Sequence, residues 1–206
     1  MKLYYSPNLN PRVAVAVAQY LQAPVEYVSA SPRAPGNTEA FRAINPNALV
    51  PVLVDGERRI WETDAIACYL SRATGSDFWR TGEDAPEMIM WVSWAANHFN
   101  AAGGALYFEK LIRPKYMGKP GIPAVIEEGL RDFRTHAEIL EGELKGRKWL
   151  LGDRVSYADF RVGTAMPFAA GAGLPLEEFP NISRWSRQLD AIDAWREPFA
   201  GLAEAG

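Results

Sequence analysis

The chain has 206 residues, 48% of them hydrophobic and 23% charged, enough apolar material for one large core or two small ones. A formal net charge of −3 argues against an electrostatic grip on nucleic acid or on an anionic membrane. One cysteine, Cys68, excludes an internal disulfide and fits a reducing cytosol; with only two histidines, His98 and His136, far apart in the chain, no Cys/His metal site is expected.

No apolar run approaches the roughly 18 residues of a transmembrane helix. The N-terminus, MKLYYSPNLN, lacks the apolar centre of a secretory signal, so a cytoplasmic protein without a membrane partner is expected. Lys2 to Tyr5 is a short β-prone run that stops at Ser6-Pro7. Asn10-Pro11 then reads as a helix start, a capping amide followed by proline at the first helical position. The alternating valines and alanines of RVAVAVAQYL could be a strand, but alanine dominates and favours a helix. Val25 to Val28 is a second strand. A polar segment with Pro32, Pro35 and Gly36 leads to a short helix around Glu39 to Ala43.

Val50 to Val54 and Arg58 to Trp61 flank Asp55-Gly56, a hairpin signal. Glu62-Thr63-Asp64 opens another helix, with Ile66, Ala67 and Leu70 on one face. Strand, helix, strand, helix, hairpin, helix describes a small mixed sheet with helices packed on it. After Thr74-Gly75-Ser76-Asp77 the pattern turns helical. Trp91, Trp94, Ala95, His98, Ala102 and Ala105 recur at helical spacing, and Ile126, Leu130, Phe133, Ala137, Leu140 and Leu144 form an amphipathic stripe. Ser156-Tyr157-Ala158-Asp159 is a capping box with aspartate as the reciprocating residue. Ile182, Trp185, Leu189 and Ile192 make one more stripe. The expected organisation is an α/β domain over residues 1–76 and an all-helical domain over residues 86–206.

Two short motifs in the first domain carry chemistry. Pro51 cannot donate to a ladder, so it belongs at a strand edge or bend. In the commoner arrangement the Val50–Pro51 bond is trans; a cis bond would turn the N–H and C=O of Val50 outward to pair with an extended peptide as another strand. Glu62 and Thr63 stand at a helix N-terminus, whose unpaired N–H groups and partial positive charge suit an amino-acid carboxylate. Thr63 serves as a cap or shares that carboxylate, and Glu62 is a first-turn acid or a counter-charge for the adjacent ammonium.

The order Asn45-Pro46, Val50-Pro51, hairpin, Glu62-Thr63 resembles the glutathione-site signature of the cytosolic glutathione transferases, bacterial type, with Ala48 where the family usually has glycine. Trp149-Leu150-Leu151-Gly152-Asp153 followed by Ser156-Tyr157-Ala158-Asp159-Phe160 is similar to the capping box and hydrophobic staple of the family's C-terminal domain. The resemblance covers nearly the whole chain. It implies a thioredoxin-like N-terminal domain, a C-terminal helical bundle, a homodimer, and glutathione as co-substrate with no bound cofactor. It implies further that Val50, beside a cis Pro51, hydrogen-bonds the cysteinyl backbone of glutathione, that Glu62 and Thr63 hold its γ-glutamyl group, and that Arg33 lies near its glycyl carboxylate; on its own residues Arg33 reads more simply as a surface arginine without that role. Ala48 implies a loop geometry that tolerates a Cβ.

A free thiol has a pKa of about 8.5, and moving it two units takes about 2.7 kcal/mol of preference for the thiolate. Family members place a Tyr, Ser or Cys after the first strand for this purpose. Here Asn10 is the first candidate, as a donor through its amide or simply as the cap of helix 1; Ser6 and Tyr5 are the rivals. For a small hydrophobic electrophile, the resemblance implies a site between the domains, with Arg113 and Tyr116 as the candidate lining. The expected activity is attack of the glutathione thiolate on that electrophile, or reduction of a peroxide or disulfide with it. Alternatives are a non-catalytic binding or regulatory protein and a glutathione-dependent isomerase of the maleylacetoacetate type, whose Ser-Ser-Cys run this loop lacks.

Overall fold

The computed structural model describes residues 1–202, which separate into two compact units: Met1–Trp79 joined by the segment from Ile192 onward, and Arg80–Ala191. In the first unit β1 (Lys2–Tyr5), α1 (Leu9–Tyr20), β2 (Glu26–Ser29), α2 (Thr38–Arg42), β3 (Val52–Asp55), β4 (Arg58–Trp61) and α3 (Thr63–Ala73) follow in the predicted order. The sheet runs β2-β1-β3-β4, with β1 parallel to β2 and antiparallel to β3. This is the thioredoxin-like arrangement, in which a helical crossover joins the parallel pair and a hairpin closes the other side. Leu3, Leu53, Ile66 and Leu70 are fully buried and form its core with α1. Tyr4, alternating to the opposite face, meets Phe41 of α2 edge-on at 5.9 Å.

Two local readings shift by one or two residues. α1 begins at Leu9 with Asn8 in the capping position, so Asn10 and Pro11 lie inside the first turn. The hairpin register pairs Asp55 with Arg58, which makes Gly56-Glu57 the turn, and Gly56 takes φ 58°, a conformation glycine adopts freely. The strand-or-helix ambiguity of α1 has a simple cause. Val13 through Ala18 are all fully buried, so the helix has no polar face there to impose a 3.6-residue period.

In the second unit α4 (Ala85–Trp94), a π-helical turn (Ala95–Phe99), α5 (Asn100–Tyr107), a second π-helical turn (Phe108–Ile112) and α6 (Arg113–Met117) follow without interruption. α7 (Pro123–Glu143) packs on α5, where Gly129 lets Leu106 approach: a Cβ there would stand 3.2 Å from its side chain. Phe133 of α7 contacts Phe99 at a ring separation of 4.9 Å. α8 (Tyr157–Val162), α9 (Ala169–Ala172) and α10 (Pro180–Asp190) complete the unit. Its polar centre is Asp159, fully buried, whose carboxylate accepts from the N–H groups of Leu150 and Ser156, the Ser156 hydroxyl and the Trp185 indole at 2.9–3.1 Å. The capping box thus does more than start α8: it ties α8 to α10.

The last element, α11 (Asp193–Arg196), packs on α1 within the first unit, although its helical pattern reads as a continuation of the second. The buried Arg12 guanidinium lies 4.8 Å above the Trp195 ring and donates to the carbonyls of Trp195 and Arg196. Phe199 stacks on Tyr5 at 5.6 Å. Among the described residues no helix is long and apolar enough to cross a membrane.

Candidate functional site

Because β1 is central in the sheet, the chain segments leaving the same end of β1, β2 and the approach to β3 meet. They enclose a cleft of about 380 Å³ lined by Ser6, Asn8 and Asn10 from the β1–α1 loop, Ser31, Pro32 and Arg33 from the segment after β2, and Ala48, Leu49 and Val50 from the turn before β3. A second open depression, of about 440 Å³, lies under α2 between Tyr4, Val28 and Phe41, and Tyr4 is the one titratable side chain on it. The donor-rich cleft is the better chemical site.

The turn before β3 is built by Asn45. Its buried amide donates to the Leu49 carbonyl at 2.8 Å and accepts from the Asn47 N–H at 3.0 Å, closing the loop on itself. Ala48 sits at φ 49°, in the left-handed region, which accounts for glycine at this place in the family pattern. The Val50–Pro51 bond is cis. Val50 lies on the cleft two residues before the β3 ladder, which starts at Val52.

Glu62 occupies the capping position of α3 at φ 72°, ψ 127°, and its side chain makes no capping bond. A non-glycine residue held there is strained, and such strain gathers at ligand clamps. Its carboxylate is exposed and free to meet a cation. Thr63 is buried, and its hydroxyl donates to the Asn10 carbonyl at 3.1 Å, joining the start of α3 to the start of α1. What α3 offers a carboxylate is therefore its backbone N–H groups rather than that hydroxyl.

The three proposed thiol partners are not equivalent. Ser6 and Asn10 line the cleft. Tyr5 points to the other side of β1, 2% exposed between Tyr27 and Phe199, and burial pushes its phenol up. Asn8, which is not among the candidates the sequence singles out, also lines the cleft, and its amide donates to the Ser6 hydroxyl at 2.9 Å. Nothing in the local sequence distinguishes this asparagine from an ordinary turn former. Arg33 is exposed on the cleft rim. In the helical unit, Tyr116 is 70% exposed, with the Lys115 ammonium 5.0 Å above its ring. Arg113 instead donates to the Pro120 carbonyl at 3.0 Å and stands 3.7 Å from the buried Glu109 carboxylate. Among the described residues no group of three or more His, Cys, Asp and Glu is placed to hold a metal ion.

Residues 1–72 match the model of the glutathione S-transferase N-terminal domain, and residues 123–204 match that of the C-terminal domain. The chain is 31% identical over 201 residues to a probable glutathione S-transferase GSTF2 of Oryza sativa subsp. japonica, covering 93% of this chain and 92% of that protein. It is 30% identical over 198 residues to glutathione S-transferase GstB of Escherichia coli K12, covering 92% of each. Among solved structures, glutathione S-transferase-I bound with lactoylglutathione superposes with a TM-score of 0.87 at 24% identity, over 97% of this chain and 98% of that one. Glutathione transferase F2 of Populus trichocarpa gives 0.88 at 19%, over 97% of each; these two likenesses speak to the fold. With both domain models matched and relatives aligned along more than nine-tenths of its length, the chain belongs to the glutathione S-transferase family.

Proposed function

We propose that the cleft binds glutathione, holds it as the thiolate and adds it to a small hydrophobic electrophile. The observation that carries this reading is the convergence on one cleft of Ser6, Asn10, Arg33 and Val50, four residues from three separate segments with complementary chemistry. The peptide groups of Val50 pair with the cysteinyl unit as a short added strand. Arg33 faces the glycyl carboxylate. Glu62 takes the γ-glutamyl ammonium, and the first N–H groups of α3 take its carboxylate, with Thr63 fixing that helix start against α1.

The sulfur then lies at the β1–α1 loop, near the N-terminus of the 12-residue α1. A hydroxyl donor together with that partial positive charge supplies the roughly 2–3 kcal/mol that lowering the thiol pKa by two units requires. Of the two thiol candidates that line the cleft, Ser6 is favoured because its oxygen is already engaged by Asn8; Asn10 is the second. No cysteine is among the residues lining the cleft, so a peroxide or a disulfide would be attacked by glutathione itself, through the same thiolate. Arg113, committed to Glu109 and Pro120, shapes its own helix end. A homodimer is supported by the apolar side chains left exposed on α4, Ile89 and Met90, and a cytoplasmic location by the lone cysteine.

Retention on glutathione-agarose followed by a panel of a chloronitrobenzene, a hydroperoxide and a glutathione-capped disulfide tests this reading. The expected result is retention with conjugation of the chloronitrobenzene. Retention without turnover on any substrate replaces it with a binding protein, and no retention overturns it. Sedimentation is expected to give twice the chain mass.

A further inference from the structure

We propose that Asn8 is a positioning residue that aims the Ser6 hydroxyl at the glutathione sulfur, an inference that rests on Ser6 being the thiolate donor. A serine hydroxyl has one proton to donate and two lone pairs to accept with. The Asn8 amide N–H₂ donates into one of those lone pairs at 2.9 Å. The hydroxyl proton therefore cannot be given to Asn8 and is left for the cleft, where both side chains are exposed to a ligand. A hydroxyl whose oxygen accepts a hydrogen bond is also the stronger donor, because the two bonds polarise each other.

The local backbone supports the assignment. Asn8 stands in the capping position of α1 with extended dihedrals, φ −140° and ψ −179°, where an asparagine side chain ordinarily accepts from the helix's own N–H groups. Its side chain makes no such bond. The Asn8 N–H instead donates to the Ser6 carbonyl at 2.8 Å, a tight turn that folds the asparagine back over the serine. The cap is given up in favour of a contact on the cleft. In the chemistry, Ser6 stays a neutral alcohol throughout. The thiol proton leaves to solvent, an O–H···S⁻ hydrogen bond forms, and no covalent bond to the protein is made or broken.

The test is a double-mutant cycle of Ser6→Ala and Asn8→Ala, with Asn8→Asp alongside, in the full chain. The readouts are the pKa of bound glutathione, from the pH dependence of thiolate ultraviolet absorbance, the glutathione Kd and Tm. Ser6→Ala is expected to raise the bound thiol pKa by about one to two units. Asn8→Ala raises it by about half a unit in the wild-type background and by nothing further in the Ser6→Ala background. Asn8→Asp separates positioning from capping. A carboxylate accepts the Ser6 proton, turning it from the sulfur, so the thiol pKa rises more than in Asn8→Ala; yet aspartate is a good cap, so Tm holds or rises. The inference is overturned if Asn8→Asp leaves the thiol pKa at the wild-type value, if Asn8→Ala changes nothing, or if its effect persists undiminished without Ser6. If Ser6→Ala leaves the pKa unchanged while glutathione still binds, the assignment of Ser6 fails first, and the role of Asn8 with it.

Discussion

Replacing Glu62 with glycine is expected to make the protein more stable and a worse binder of glutathione. Glu62 is held at φ 72°, ψ 127°, in a region that L-residues rarely enter. Keeping a side chain there costs about 1–3 kcal/mol. Glycine removes that cost but returns about 0.5–1 kcal/mol through the greater freedom of the unfolded chain. The net expectation for Glu62→Gly is a gain of up to about 2.5 kcal/mol, centred on about 1 kcal/mol and read as a rise of a few degrees in Tm. The same change deletes the carboxylate proposed above to meet the γ-glutamyl ammonium. A hydrogen bond to a charged group contributes about 1.5–3 kcal/mol, and the exposure of Glu62 argues for the lower end, about a tenfold rise in Kd. Glu62→Gln is the control: it keeps the backbone strain and loses the charge, so Kd rises with no gain in Tm. Titration calorimetry and thermal unfolding on the three proteins decide the matter. Unchanged glutathione affinity in Glu62→Gly refutes the clamp role, and a lower Tm refutes the strain argument.

Ala48, buried at φ 49°, is expected to accept glycine with a stability change within about 1 kcal/mol, whereas Ala48→Val places a branched side chain in a left-handed, packed position and destabilises by about 2 kcal/mol or more in urea titration. Asp159→Ala strands the N–H groups of Leu150, Ser156 and Trp185 in the interior of the helical unit; each orphaned donor costs about 1–3 kcal/mol, so a loss of about 4 kcal/mol or more is expected, with no soluble folded protein as the extreme outcome. His136 is held below the ordinary imidazole value of 6.5, first by burial and then by the neighbouring His98, against the opposing pull of Asp132. The unfolded chain then binds the proton more readily than the folded one, so this contribution is fully present above pH 6.5 and is lost as pH falls below it. Chemical denaturation between pH 7.5 and 5, roughly the window over which an imidazole titrates, is expected to show a fall in stability that His136→Phe reduces; an unchanged slope would contradict the assignment.

Most of the element order was legible because each signal had a local cause. Gly56 follows an aspartate between two β-prone runs, and Ser156 and Asp159 stand three residues apart before an apolar helix. The cleft is legible in outline: Val50-Pro51 stands out through the motif order and Val50 lines the cleft, whereas Arg33, on the cleft rim, is marked only by the family resemblance and reads equally as a plain surface arginine. What escaped depends on distance or dihedral. Asn10-Pro11 reads as the start of α1 because proline suits a first helical position, whereas the tight turn from Ser6 to Asn8 starts the helix at Leu9. The burial of Tyr5 follows from the alternation of β1 and from Phe199, almost 200 residues away, and no local pattern shows that stacking. The docking of Trp195 on Arg12 escaped for the same reason: a helical stripe reveals which face is buried but not what covers it. The strain at Glu62 is a property of φ and ψ alone, and glutamate is no signal for it.

Whether the cleft binds glutathione and holds it ionised is decided by titrating the thiolate absorbance of glutathione bound to the wild-type protein against pH. The bound thiol is expected to ionise about two units below the free value of roughly 8.5. A thiol that titrates at the free value while bound, or the absence of any saturable binding, would contradict it.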